Sequence, residues 1–559
     1  MKELFQLLNI VGGLGVFLFG MRVMSDGVHK RAGDRMRRLL GLITSNPAKG
    51  VITGLCVTSL IQSSSATTVL LVSLVNAGLI TLEQSIGVIM GANIGTTLTA
   101  WIVSLLGFKL KITALALPAI AIALPYYFSK IERRREWAEI LIGFGILFLG
   151  LHLMKESVPD IGAHPETLEF LRHLADYGYG SVLLFVGIGT ALTITVQSSS
   201  AAMAITITMA FKGWIDMPVA AALVMGENIG TTITAYLASL QMNANAKRSA
   251  RAHMIFNLLG VAWMLVVFFP VLNLVDWMTP GEAGAAAHMP VHLAVFHTLF
   301  NVTNTLVLIW FVPRLTRLVR RMVPEERPAA AGLPRELPLV RGAGSEAVES
   351  NLIGIRHELG RMANIVCGML GHAMNALESS DGDLAKIERE LTNDEEVTDM
   401  LQEQLSRLLT ECTSVSVSES QAQRIQSMQR ITNELECVSD SAYRVGCLLE
   451  KRDRRKLEFH KSGVDELLDY SARVFDFLKY NTAFLTHEMQ DYSFETAVEM
   501  ENEIDARRDQ LRKVARKKLT KGADVKAELL FLDLVRHLEH VGDYCLNVSR
   551  AIRELERHP

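Results

Sequence analysis

The segment Gln62-Ser63-Ser64-Ser65-Ala66-Thr67-Thr68 recurs 135 positions later as Gln197-Ser198-Ser199-Ser200-Ala201-Ala202-Met203. The same offset separates a second pair, Gly91-Ala92-Asn93-Ile94-Gly95-Thr96-Thr97 and Gly226-Glu227-Asn228-Ile229-Gly230-Thr231-Thr232. The two halves therefore carry no net insertion between these landmarks. Polar, glycine-bearing breaks repeated inside apolar sequence mark a membrane transporter built from a duplicated unit.

The repeat reaches beyond its motifs, since Gly15-Val-Phe-Leu-Phe-Gly20-Met-Arg-Val-Met24 resembles Gly145-Ile-Leu-Phe-Leu-Gly150-Leu-His-Leu-Met154. Each unit reads as a spanning helix, a QSSS segment, a broken helix carrying Asn-Ile-Gly-Thr-Thr, and a further span. The repeats cover about 5–128 and 136–275, with an extra span at 290–312. A helix needs roughly 20 apolar residues to cross a bilayer. Stretches near 4–24, 112–128, 137–154, 252–275 and 290–312 are expected to do so. The QSSS segments, about 50–80 and 185–214, have polar residues midway and arms short for a full span. They read as re-entrant hairpins, whose non-helical backbone must be satisfied by protein or a cavity.

Three crossings and one hairpin per unit make an odd count, so the second unit is expected to be inverted. Basic clusters at Lys30–Arg38, Lys130–Arg135, Lys247–Arg251 and Arg314–Arg321 then all fall on one side, as the positive-inside bias requires. The first hairpin would open from the cytoplasm and the second from outside. No cleavable signal is expected, because the first apolar stretch lacks a basic lead-in and continues as a full span. A smaller echo joins His253 and Asn257 to His297 and Asn301. These side chains suit either a pathway lining or helix–helix packing.

QSSS concentrates an amide and three hydroxyls in one turn of backbone. Hydroxyls and backbone N–H groups donate to phosphate-like oxygens, and hydroxyl and carbonyl oxygens face a hard cation such as sodium. A helix break adds free N–H groups and the positive dipole end for an anion. Asn93, Asn228, Thr96, Thr97, Thr231 and Thr232 add neutral oxygens, and neither motif contains Arg or Lys. An anion here would rest on dipoles, hydroxyls and co-bound cations. A lone QSSS would suit a small-residue packing seam; two copies, each with a matched second motif, argue for function. Glu227 breaks the symmetry, its counterpart being Ala92. An ionisable residue inside a membrane segment is a functional candidate, here one that neutralises a coupling cation or takes a proton, the alternative being a place at the hairpin mouth, exposed to water.

With QSSSATT at Gln62–Thr68, QSSSAA at Gln197–Ala202 and the two G-x-NIGTT segments, the chain resembles the type II sodium–phosphate cotransporter family over roughly residues 5–312. The resemblance implies inverted repeats, inorganic phosphate as substrate and sodium as coupling ion. It places phosphate on Ser63, Ser64, Ser65, Ser198, Ser199 and Ser200. Sodium would fall to Gln62, Thr67, Thr68, Asn93, Thr96, Thr97, Gln197, Asn228, Thr231 and Thr232. The second copy departs after its serines, Ala201-Ala202-Met203 standing against Ala66-Thr67-Thr68, so its cation ligands are fewer.

Past residue 313 the composition changes. Residues 313–346 hold five prolines amid Ala, Gly and charge and read as a linker. From 347 to 556 helical periodicity is continuous, with breaks near 380, 415, 455, 490 and 521, giving six helices grouped as two three-helix bundles. Five of the six cysteines lie in this part, none in a C-x-x-C pair, which fits reduced thiols facing a cytosol. Four Glu-x-x-x-Asp pairs stand out: Glu395/Asp399, Glu436/Asp440, Glu501/Asp505 and Glu539/Asp543. Carboxylates four apart share a helix face and repel unless neutralised, by a metal, by basic neighbours or by water. Two pairs per bundle, with Leu435-Glu-Cys-Val-Ser-Asp440 and Leu538-Glu-His-Val-Gly-Asp543 as the nearest segments, resemble the PhoU family. That resemblance implies a regulatory domain with a candidate divalent or iron metal site.

The expected molecule is thus all-α. A polytopic membrane domain of two inverted repeats with re-entrant hairpins (1–312) precedes a cytosolic helical domain of two three-helix bundles (347–556). Its expected work is secondary active transport of inorganic phosphate across the inner membrane, in either direction, with sodium, the lipid bilayer and a homo-oligomer as partners. The rival is a non-transporting membrane phosphate sensor that signals through the PhoU-like part. No Walker loop, nucleophile elbow or Cys/His cluster points to an enzyme. A net charge of −3 gives no sign of nucleic-acid binding.

Overall fold

Gln62 and Gln197 both take left-handed backbone, at φ 59°, ψ 21° and φ 55°, ψ 24°. Each ends one helix and lets another start two residues on. The computed structural model describes residues 2–41, 46–76, 80–109, 113–158, 178–240, 242–282, 285–324, 345–378, 384–414, 417–459, 462–486 and 492–557. It is helical, with no strand among those residues. The chain divides into two units, one within residues 1–325 and one from Val348 onward.

In the first unit, α1 (Lys2–Gly41) leads to α2 (Pro47–Ile61), α3 (Ser64–Asn76) and α4 (Leu82–Trp101), which winds on as a π-helix over Ile102–Lys109. Then come α5 (Thr113–Tyr127) and α6 (Glu132–Ser157). The second half repeats the series with α7 (Tyr179–Val196), α8 (Ser199–Phe211), α9 (Met217–Gly230) and α10 (Thr232–Ser239). It continues with α11 (Ala244–Val266), α12 (Phe268–Met278), α13 (Met289–Leu308) and the basic α14 (Val312–Met322). Among the described residues, six stretches are long and apolar enough to cross a membrane: Leu8–Val28, Leu82–Phe108, Arg133–Ser157, Tyr179–Val196, Ala244–Val266 and Met289–Met322. Large apolar side chains such as Leu117, Phe128, Val266, Trp277 and Trp310 stand exposed on this unit, a surface suited to lipid rather than water.

Several expectations need correction. The 112–128 stretch forms α5, 15 residues with Pro118 and Pro125 inside it; at about 1.5 Å per residue it falls short of a bilayer. The 252–275 stretch is two helices, because Pro270 lacks the N–H that would bond the Val266 carbonyl and carry the helix on. The arms of the second QSSS segment are unequal, α7 alone being long enough to cross. Asn-Ile-Gly-Thr-Thr does not break α4, which runs through it intact. In the second copy the helix does end inside the motif, α9 stopping at Gly230 and α10 starting at Thr232, with the Thr231 N–H bonding both Glu227 and Ile229 carbonyls. Of the stretch read as linker, residues up to Met322 are helical and 325–344 lie outside the described residues.

The glycines of that motif serve packing instead. A Cβ on Gly91 would strike the Val51 carbonyl of α2, and one on Gly226 the Val186 carbonyl of α7. Gly54 and Gly189 answer from the other side, against Val88 and Leu223. Backbones this close are the small-residue contact of membrane helices. It is the same contact in both halves, fixing α4 on α2 and α9 on α7.

The second unit has six helices: α15 (Ser345–Glu378), α16 (Leu384–Cys412), α17 (Glu419–Arg454), α18 (Gly463–Leu485), α19 (Phe494–Leu519) and α20 (Val525–Arg557). Its apolar core lies in two clusters, one around Tyr470, Phe477 and Phe531 and one around Leu352, Leu405 and Ile552. Both draw on helices of either triplet, so α17 and α20 join the two groups along a shared seam.

Candidate functional site

At each QSSS the helix start is built the same way. Ser63 and Ser198 cap α3 and α8, their Oγ atoms accepting from Ala66 and Ala201 N–H at 3.2 Å. Ser63 and Ser198 carbonyls take the N–H groups of Thr67 and Ala202. The N–H groups of the next two serines in each copy begin the helix and have no carbonyl of their own helix to bond. Gln62 holds its break closed, Nε2 donating to the Ser59 carbonyl at 2.6 Å and Oε1 accepting from Thr99 at 3.1 Å.

Both helix starts meet at one small, partly open cavity. The first half contributes Ser64, Asn93, Thr96, Thr99 and Ala100; the second contributes Ser199, Ser200, Met203, Glu227, Asn228 and Thr231; His297 comes from α13. Three of the six expected phosphate serines, Ser64, Ser199 and Ser200, line it, while Ser63 and Ser198 cap and Ser65 is not in its wall. Of the expected sodium ligands, Asn93, Thr96, Asn228 and Thr231 line it. Gln62, Gln197, Thr67, Thr68, Thr97 and Thr232 do not. Thr67, Thr97 and Thr232 donate back to the Ser63, Ile94 and Ile229 carbonyls at 2.9, 2.8 and 2.8 Å, as lining Thr96 and Thr231 also do to Ala92 and Glu227, a common habit of buried hydroxyls in helices.

Asn93 is tied sideways. Its Nδ2 donates to Asn257 Oδ1 at 2.8 Å, and its Oδ1 meets His253 Nε2 at 3.2 Å. Of the His/Asn echo, one pair therefore braces the first motif, while His297 faces the cavity. Asn228, the counterpart of Asn93, donates to the Val224 carbonyl of its own helix at 2.9 Å and, among the described residues, has no side-chain partner on another helix. Glu227 is buried, with Oε1 accepting from Thr206 Oγ1 at 2.7 Å. Thr99, Ala100, Met203 and Thr206 escaped the sequence reading. For Thr206 a signal existed: it is a hydroxyl where the repeat register puts Leu71, on the turn facing the unmatched Glu227.

In the second unit the four carboxylate pairs separate into two kinds. Glu395, Asp399 and Asp440 bring one oxygen each within 4.8 Å of the others. Burial and mutual repulsion raise the Glu395, Asp399 and Glu436 carboxyls above the usual range. In the other group Arg508 bridges Asp505 at 2.6 Å and Glu539 at 2.5 Å, and Arg512 adds Glu539 at 2.7 Å. Guanidinium groups there supply the positive charge. Burial first, then Asp543 and Asp505, push Glu501 up to about 7.

Comparison with known proteins agrees with this division. Residues 16–156 and 169–274 match the Na+/Pi-cotransporter family model, and residues 359–449 and 478–552 match the PhoU domain. YqeW, an uncharacterized protein of Bacillus subtilis (strain 168), is 28% identical over 310 residues, 55% of this chain and 95% of that protein. The "Putative inorganic phosphate export protein YjbB" of Salmonella typhimurium is 26% identical over 320 residues, 57% of this chain and 56% of that protein. Sodium-dependent phosphate transport protein 2A of Rattus norvegicus is 40% identical over 101 residues, 17% of this chain and 16% of that protein. The chain thus spans little more than half of YjbB and a sixth of the rat protein. No solved structure matches it. The chain carries a Na+/Pi-cotransporter domain followed by a PhoU domain.

Proposed function

We infer that this chain, a Na+/Pi-cotransporter domain of duplicated halves joined to a PhoU domain, moves inorganic phosphate across a membrane by secondary active transport. The observation that carries the reading is the shared cavity. Ser64 from one half and Ser199 and Ser200 from the other line it, each at the first turn of a helix, where N–H groups and dipole favour an anion. With no Arg or Lys among the described residues of its wall, the anion is held by hydroxyls and dipoles. Sodium is the coupling ion, placed by Asn93, Thr96, Asn228 and Thr231, with Glu227 the one acidic side chain among the described residues that line the cavity.

The two halves act as inverted repeats around QSSS hairpins, an arrangement that supports alternating access by rocking or sliding. The matched motif pairs and the left-handed glutamine that ends a helix at each QSSS support it. On this reading the protein sits in the inner membrane, with the PhoU domain in the cytoplasm as the regulator of flux. In that domain Glu395, Asp399 and Asp440 suit a divalent cation, since three carboxylates are the hard oxygen set such an ion takes. The group around Arg508 does not, its charge being met within the protein.

Radiolabelled phosphate flux in proteoliposomes, under sodium gradients of either sign, tests the function. Flux that follows the sodium gradient in both directions is expected. No flux under any gradient would replace transport with the sensor reading.

A further inference from the structure

Glu227 is 2% exposed. One of its oxygens is held by Thr206, and the other, Oε2, has no hydrogen-bond partner among the described residues. It lines the cavity that Ser64, Ser199 and Ser200 also line. A buried carboxylate with one oxygen fixed and one unmatched is costly alone and becomes favourable when a cation sits on the free oxygen.

The first half cannot offer the same site. The repeat register that pairs Gln62 with Gln197 puts Ala92 where Glu227 stands and Leu71 where Thr206 stands. Both are buried and apolar. Beside them, Asn93 has its amide committed to Asn257 and His253. In the second half Asn228 makes no bond of that kind among the described residues and lies next to Glu227 in the cavity wall. The polar pair and the loosened asparagine occur together, on the helices α8 and α9 that carry the second copies of both motifs.

We propose that the second half contains a monovalent-cation site with no counterpart in the first, made by the Glu227 carboxylate with Thr206 as its positioning residue, and that this cation couples to phosphate by cancelling the carboxylate charge. The proposal rests on the reading of the cavity as the phosphate site. An ionised, buried Glu227 repels an anion in the same cavity, since like charges interact strongly away from bulk water. Sodium on Oε2 removes that repulsion. By linkage, each ligand then tightens the other by the same factor.

The test uses the purified full chain with sodium chloride or choline chloride, and inorganic phosphate as the anion. In the wild type, sodium without phosphate should raise the unfolding temperature, and sodium should tighten phosphate binding by about tenfold or more. Glu227→Gln keeps the acceptor for Thr206 and loses the charge. It should lose the sodium-induced shift, bind phosphate in choline more tightly than wild type, and respond to sodium by less than about twofold. Thr206→Val should need more sodium for half-maximal effect, yet bind phosphate with wild-type affinity once sodium saturates. A Glu227→Gln protein that elutes as wild type and keeps the full sodium response overturns the site while leaving phosphate transport standing. The same variant binding no phosphate in either salt also overturns it, since removing the charge should help the anion. A wild type that binds no phosphate in either salt strikes the phosphate reading itself, and the coupling falls with it.

Discussion

Ser64 and Ser199 hold equivalent places, second in their serine runs and first in α3 and α8, and both face the cavity. A hydrogen bond to a charged group is worth about 1.5–3 kcal/mol, so Ser64→Ala and Ser199→Ala should each weaken phosphate uptake by about tenfold or more. Wild-type flux in both would remove the serines from the site. In the second unit the residue scale divides metal from proton. Asp440→Asn should abolish the stabilisation that manganese or magnesium gives the full chain, read as a thermal shift; an unchanged shift would place the ion elsewhere. Glu501 is the proton case. Its carboxyl, pushed up to about 7 from an ordinary value of 4.5, stabilises the fold fully below about 4.5, and that contribution is lost as the pH rises to about 7. Glu501→Gln, neutral throughout, should match wild type near pH 4.5 and exceed it at pH 8. The gain is about 1 kcal/mol, part of the effect being screened by nearby water. A gap that stays constant with pH would show that Glu501 does not titrate there.

At the scale of elements, the close seams of α2 with α4 and α7 with α9 set where the motif side chains point. Adding a methyl at Gly226 drives it into the Val186 carbonyl, and overpacking of this kind costs about 1–3 kcal/mol. Gly226→Ala should therefore lower the unfolding temperature and reduce flux together, with Gly91→Ala doing the same from the other half. A Gly226→Ala protein as stable and as active as wild type would show that the seam tolerates separation. This is also where the sequence misleads. A glycine between Ile and Thr in apolar sequence looks like a helix break, yet α4 passes through Gly95 unbroken because the glycine answers a neighbouring helix, which no local pattern reveals. The QSSS breaks were legible because Gln and three serines in a row interrupt apolar sequence and do so twice. Glu227 was legible by comparing the copies. The register also marks Thr206 against Leu71, but α8 carries Thr208 as well, and which threonine meets Glu227 shows only once α8 is laid against α9. His297 was visible as half of an echo, but nothing in the chain separates it from His253, which turned out to brace Asn93.

The two units have separate apolar cores. The clusters around Phe17, Phe148 and Phe300, and around Phe256 and Val319, contain no residue beyond α14. Those around Phe477 and Leu352 contain none before α15. Since burial of such cores dominates folding free energy, each unit has what it needs to fold by itself. The cavity with its serines, Glu227 and His297 belongs wholly to the first. A chain ending at Pro324 should therefore insert, bind phosphate and carry sodium-driven flux in proteoliposomes. A regulatory PhoU domain would then show as a change in the rate or phosphate sensitivity of that flux when the full chain is measured alongside. A sensor predicts the opposite pattern: phosphate bound by the shortened chain, no net flux from either form. Failure of the shortened chain alone, with flux intact in the full chain, would mean that the PhoU domain is part of the transport machine and that the separation of cores does not extend to function.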